Sequence, residues 1–293
     1  MTFLISRQRA LFFFLFLLLP SACFPGKKTA VVAVAPLLEE VAKSSSRQTD
    51  LKIIREGMPA YLMLMDGMIE AWPDNERLLM GAAQGYSSFA SLFIVDQDQE
   101  YAKRLYGKAK DYALRALERK GVKAPLLKPL DDFEEDLKGF SKKEASTLFW
   151  VAACWGNWIS LNLDSMEALA DLPKVERMMK RVLDLDEGVY YGGPHLFLGI
   201  WFSSRPRIAG GDLKKAQDHF LKAIDLGQGK FLMAYVYYAE YYARKALDRN
   251  LFISTLQKVL ESPVDIAPEL NLVNTAAKRK AKESLSRVEE YFE

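Results

Sequence analysis

Two cysteines and two histidines are all that 293 residues contain of the side chains most used for nucleophiles and metal sites. A disulfide framework is excluded, because Cys23 could pair only with Cys154. Cys154 lies in LFWVAACWGNWISL, an apolar helical stretch where a lone cysteine behaves as a small buried hydrophobe. His195 and His219 are too far apart to form a one-helix metal pair, and no HExxH occurs. Neither histidine has an evident cysteine beside it, so no Cys–His nucleophile can be read. Alternating β-branched runs are missing, which argues against strands. No Gly-x-x-x-x-Gly-Lys occurs, so the glycine pairs at 192–193 and 210–211 are not a nucleotide phosphate loop. Net charge is small too, although 27% of the residues are charged. The formal net charge is +2, and Arg7 and Arg9 account for both charges, so the chain from Cys23 onward is neutral. That leaves no electrostatic footprint for nucleic acid and no polybasic anchor for acidic lipid.

The apolar run at Ala10–Leu19 is about half the length of a membrane-spanning helix. With Arg7 and Arg9 before it, it reads as the core of a secretory signal over residues 1–22. Ser21-Ala22-Cys23 resembles the bacterial lipobox, in which the cysteine is diacylated and becomes the new N-terminus. Pro20 departs from that pattern, which prefers leucine three residues before the cysteine. Phe24 is not the aspartate that signals inner-membrane retention in enteric bacteria, which points to the outer membrane. Residues 23–50 read as a tether, punctuated by Pro25-Gly26 and Ser44-Ser45-Ser46, with one short helix near Leu37–Lys43.

From residue 51 to 293 the apolar spacing is three and four throughout, which predicts an all-α domain. Helices are expected over 52–71, 75–95, 99–119, 142–161, 172–185, 194–203, 212–226, 230–246, 251–261 and 270–291. Pro59 is expected to kink or divide the first of them. Pro173 is placed in a first helical turn, where its missing N–H matters little. Residues 122–140 read as an irregular excursion or a short helix, with an acidic run at Asp131–Asp136 that lacks calcium-loop spacing.

Many similar helices invite a repeat search. The best match to the tetratricopeptide pattern is GGPHLFLGIWFSSRPRIAGGDLKKAQDHFLKAID. His195 takes the tryptophan slot, Leu198-Gly199 the Leu-Gly step and Phe202 the next aromatic slot; Ala216, Phe220 and Ala223 fill the second helix. Such pairs bury their apolar stripes on one another, which predicts antiparallel helix pairs stacked into a compact superhelical array.

Several long segments, in order, resemble one family. They include REGMPAYLMLMDGMIEAWPDNERLLMGAAQGYSSFA, KRLYGKAKDYALRALERKG, LFWVAACWGNWISLN, LPKVERMMKRVLDLD and the repeat-like stretch above. Together they are similar to the TRAP-transporter-associated T-component lipoproteins, called TatT, over about residues 51–292. The resemblance implies degenerate tetratricopeptide-like helix pairs in a periplasmic lipoprotein that assembles as a homotrimer. It implies the solute-binding P-component as partner, an accessory rather than enzymatic role, and a hydrophobic or organic-acid ligand. No cofactor or metal is implied.

Candidate site residues follow from aromatic density. Trp155 and Trp158 crowd one helix with Trp150, while Tyr190, Tyr191 and Trp201 flank the Gly192-Gly193 turn. His195 lies between them, and Arg205 and Arg207 follow. The expected arrangement is an aromatic-lined channel with an arginine at its mouth, suited to a greasy ligand with an anionic head. Cys23 is the expected lipidation site. Two rival readings remain: a generic envelope assembly adaptor with no transport role, and a hydrolase, which would need a buried carboxylate or Cys154 within reach of His195.

Overall fold

Side-chain caps define six of the thirteen helix starts among the described residues. Asp50, Asn75, Asp98, Ser165, Asp212 and Asp248 each accept a backbone N–H from the first turn that follows, each contributing about 1 kcal/mol. The computed structural model describes residues 26–293, and among these it is all-α: thirteen α-helices and no strand, with 80% of residues helical. The expected signal segment 1–22 and Cys23 lie outside the described residues. Among those described, no helix is long and apolar enough to cross a membrane.

In chain order the helices are α1 (Lys27–Ser46), α2 (Leu51–Ala71), α3 (Glu76–Phe89), α4 (Gln99–Arg119), α5 (Leu130–Lys138), α6 (Ala145–Ser160) and α7 (Met166–Asp186). They continue as α8 (Val189–Ser204), α9 (Leu213–Leu226), α10 (Leu232–Tyr237), α11 (Arg249–Glu261), α12 (Asn271–Ser286) and α13 (Val288–Phe292). Both α3 and α10 run on into π-helical turns, at Ala90–Ile94 and Tyr238–Ala243. Chain neighbours pack together: α3 on α4, α6 on α7, and α8 on α9, with α4 also lying against α6.

The α8–α9 contact depends on Gly199. A Cβ there would stand 2.9 Å from the Phe220 ring, so the Leu-Gly step of the repeat pattern is a point of close approach between helices. Polar ties hold the irregular stretches. Arg181 of α7 donates to the carbonyls of Leu137, Lys138 and Phe140, capping the end of α5. Fully buried Asn274 of α12 accepts from the Leu232 N–H and donates to the Lys230 carbonyl, which fixes the start of α10.

Four expectations change. Residues 27–46, read as mostly tether, form one 20-residue helix through Pro36. Pro59 neither divides nor ends α2; Arg55, whose carbonyl loses its donor, lies on the exposed side, where solvent is free to supply another. Helix α7 begins at Met166 under the Ser165 cap, so Pro173 sits inside it. The last helix breaks at Arg287, dividing α12 from α13.

Candidate functional site

Tyr190, Tyr191 and Gly192 break the first turn of α8. All three hold left-handed backbone conformations, with φ of 48°, 57° and 78°. For the two tyrosines this costs roughly 1–2 kcal/mol each. Gly192 is required because a Cβ would lie 2.9 Å from the Ala223 Cα. The strained turn throws the Tyr190 ring inward among Phe149, Trp150 and Phe231, at centroid distances of 5.8, 5.0 and 5.6 Å. Although so enclosed, Tyr190 keeps 38% of its surface accessible. That surface faces a cavity of about 720 Å³, within the usual range for small-molecule sites.

Helices α1, α2, α3, α6, α8 and α10 and the start of α12 enclose the cavity. Phe149, Trp150, Phe197, Phe231 and Tyr237 form its aromatic wall, and Met58, Met65, Met80 and Met233 add adaptable apolar surface. Gln84, Ser87, Ser88 and Ser91, at helical spacing, line α3's contribution with polar groups. Asn157 of α6 donates to the Ser87 hydroxyl at 3.1 Å. Burial, rather than any hydrogen bond, pushes the Tyr190 hydroxyl up to about 12. Charge appears only at the solvent-facing edge of the lining: half-buried Glu39 and exposed Lys43 on α1, with exposed Arg77 and Glu269. Arg77 pairs with Glu39 at 2.9 Å and Lys43 with Glu40 at 2.6 Å. Tyr191 donates to Glu269 at 2.5 Å, and this bond holds the Glu269 carboxyl below its ordinary range.

Of the residues expected at a channel, Tyr190 lines the cavity, Trp150 of the expected tryptophan cluster stands in its wall, and Tyr191 reaches its rim through Glu269. The others lie elsewhere. Trp155 is fully buried and donates its indole N–H to Asp171 at 3.1 Å. Trp158 carries the Lys110 ammonium 3.6 Å above its ring. Trp201 stacks with Phe197 and carries the Arg205 guanidinium 3.5 Å from its ring centroid. Arg205 also faces Glu176 at 3.8 Å. Arg205 and Arg207 border a separate depression with Asp212 and Lys245, so neither arginine stands at the cavity mouth.

His195 is a polar link between α8 and α9: its Nδ1 lies 2.8 Å from His219 Nδ1 and its Nε2 3.2 Å from Glu187. Burial holds both imidazoles below their ordinary value, His195 in spite of Glu187. Cys154 is buried, donates weakly to the Ala83 carbonyl at 3.6 Å, and has its thiol pushed up to about 12 by desolvation. Neither Cys154 nor the buried carboxylate of Asp171 lines the cavity. Sequence reasoning missed the Gln84–Ser91 stripe and the Phe149, Phe197, Phe231 and Tyr237 wall. The stripe had a legible signal, polar residues at positions 84, 87, 88 and 91 spaced at helical intervals along α3 and the π-turn that follows it. For the wall, aromatic density pointed to Trp150 and Tyr190 alone, since the other aromatics come from three helices far apart in the chain.

The molecule is thus an all-helical scaffold around an aromatic-walled cavity, with no nucleophile and base brought together at it among the described residues. A family model, TRAP transporter T-component, matches residues 47–292, and the chain belongs to that family. Membership makes it an accessory component of a TRAP transport system, which points to a bacterial, membrane-associated setting. No curated protein matches the chain.

Proposed function

We propose that the protein is a lipid-anchored periplasmic subunit that docks with the solute-binding P-component and encloses a small molecule in the central cavity. The single observation carrying the ligand part is the Tyr190 turn: backbone strain is maintained where it sets an aromatic ring into the wall of a cavity of about 720 Å³. Family membership supports the partner. Acylation at Cys23 attaches the chain to the outer membrane, α1 follows a few residues later, and the assembly is a homotrimer. The generic-adaptor alternative keeps the scaffold without the solute-binding partner.

Native mass spectrometry of the detergent-extracted chain, alone and mixed with the solute-binding protein of the same transporter, tests the reading. The expected result is an acyl mass on Cys23, a trimer, a complex with the solute-binding protein, and a retained small molecule that Tyr190→Ala loses. Absence of a complex under conditions where the trimer survives would favour the adaptor.

A further inference from the structure

Resting on the reading of the cavity as a ligand site, we infer that its ligand is an uncharged amphiphile: an apolar body bearing hydroxyl, ester or amide groups, and no free carboxylate. The argument is the distribution of charge. Four charged side chains border the cavity, three at exposed positions and Glu39 half-buried beside Arg77. The two cations among them, Lys43 and Arg77, keep 62% and 78% of their side-chain surface in solvent and are already paired with Glu40 and Glu39. The deeper lining has hydrogen-bonding groups of neutral type only: Gln84, Ser88, Ser91, Asn157 and the phenols of Tyr190 and Tyr237. A carboxylate drawn into such a place loses its hydration and meets no countercharge, whereas a hydroxyl or amide exchanges water for these partners. The start of α12 also borders the cavity, and a helix start attracts anions. Glu269, in the turn just before it, already supplies negative charge there and is held ionised by Tyr191.

The shape of the lining fits the same class. The polar stripe that begins on α3 supplies hydrogen-bonding groups, and aromatic and methionine side chains supply the apolar lining. A ligand that joins polar groups to hydrocarbon satisfies both. The guanidinium groups that would suit an anionic head, Arg205 and Arg207, belong to the separate depression.

The test is displacement of the neutral fluorescent probe N-phenyl-1-naphthylamine from the full chain by two compounds sharing one acyl chain. These are decanoyl glycerol and decanoate, compared at a pH of about 8, where the fatty acid is ionised. Decanoyl glycerol is expected to displace the probe at a concentration lower by at least about tenfold, reflecting the missing countercharge. The variant Gln84→Lys, which places a cation on the polar stripe, is expected to bring decanoate to within a few-fold of the glyceride. Equal displacement by both compounds in the wild type overturns the ligand class and leaves the cavity reading standing. Displacement by neither overturns both.

Discussion

His195 occupies a slot where the repeat pattern expects tryptophan, and the spacing alone assigns it to packing. The structure adds a hydrogen bond to His219 that depends on the register of α8 against α9, which no local window of sequence contains. That bond needs at least one ring nitrogen unprotonated, and burial holds both imidazoles neutral below the ordinary histidine value of 6.5. The groups facing the pair do not cancel this. Glu187 and Asp218 favour protonation, and Lys222 and Lys215 oppose it. The sign follows from linkage. Well above 6.5 both the folded and the unfolded chain hold these groups neutral, and nothing is lost. As pH falls through that value the unfolded chain takes up protons first, so stability declines until the folded pair protonates as well. The urea midpoint of the wild type should therefore drop between neutral and mildly acidic pH. His219→Gln, which still offers His195 a partner, should show a shallower drop. Equal slopes in the two proteins would clear the pair of any part in acid sensitivity.

Helix boundaries were largely legible, because caps and punctuation are local. The start at Gln99 and the stop at Arg119 follow from Asp98 and Gly121. What was not legible depends on neighbours. A π-turn inserts one extra residue per turn without changing composition, so Ala90–Ile94 and Tyr238–Ala243 read as ordinary helix ends. Helix α1 looked like linker because it is apolar on more than one side. One side carries Ala35 and Leu38 to the cavity, while Val32, Leu37 and Val41 remain exposed. Gly199 was legible as a packing position, and it supports a sharp prediction. Gly199→Ala forces a methyl against the Phe220 ring and should cost about 1–3 kcal/mol of unfolding free energy, seen as a lower urea midpoint. The exposed Gly67, where an added Cβ would meet nothing within 4 Å, serves as control: Gly67→Ala should be neutral or stabilising by up to about 1 kcal/mol, because alanine is the better helix former. The excursion from 122 to 140 depends on a different tie. Arg181→Met keeps the stem but removes the charged donors to three carbonyls, at a cost of about 2 kcal/mol. Hydrogen exchange should show α5 losing protection before α3 and α4; uniform loss across the chain would mean that Arg181 is not a local clasp.

At the scale of the whole molecule, the core divides into two clusters, one from Val31 to Val182 and one from Leu196 to Ala281, with Leu51 and Leu92 packed against both. The cavity draws its lining from both clusters, so its walls are assembled from parts far apart in the chain. This is why the fold class could be read from periodicity while the site could not. Helix α1 is the most weakly held of the cavity walls. Only Val31 and Leu38 along its length are buried. Its exposed ion pair to Arg77 contributes little, and the Asn271 bond to the Arg47 carbonyl lies just beyond its end. Of the two buried residues, Leu38, 6% exposed, is the one that lines the cavity, and so the contact best placed to hold α1 over it. Leu38→Asp places a charge in that contact and should release α1 while leaving α3, α4, α6 and α7 packed. Stopped-flow dilution should then show N-phenyl-1-naphthylamine leaving at least about tenfold faster, equivalent to about 1.4 kcal/mol of lost closure. The melting transition of the remaining helices should stay near that of the wild type. A probe that leaves at the wild-type rate would mean that α1 rests against the cavity without closing it, and that exchange is gated elsewhere, with the strained Tyr190 turn as the next place to look.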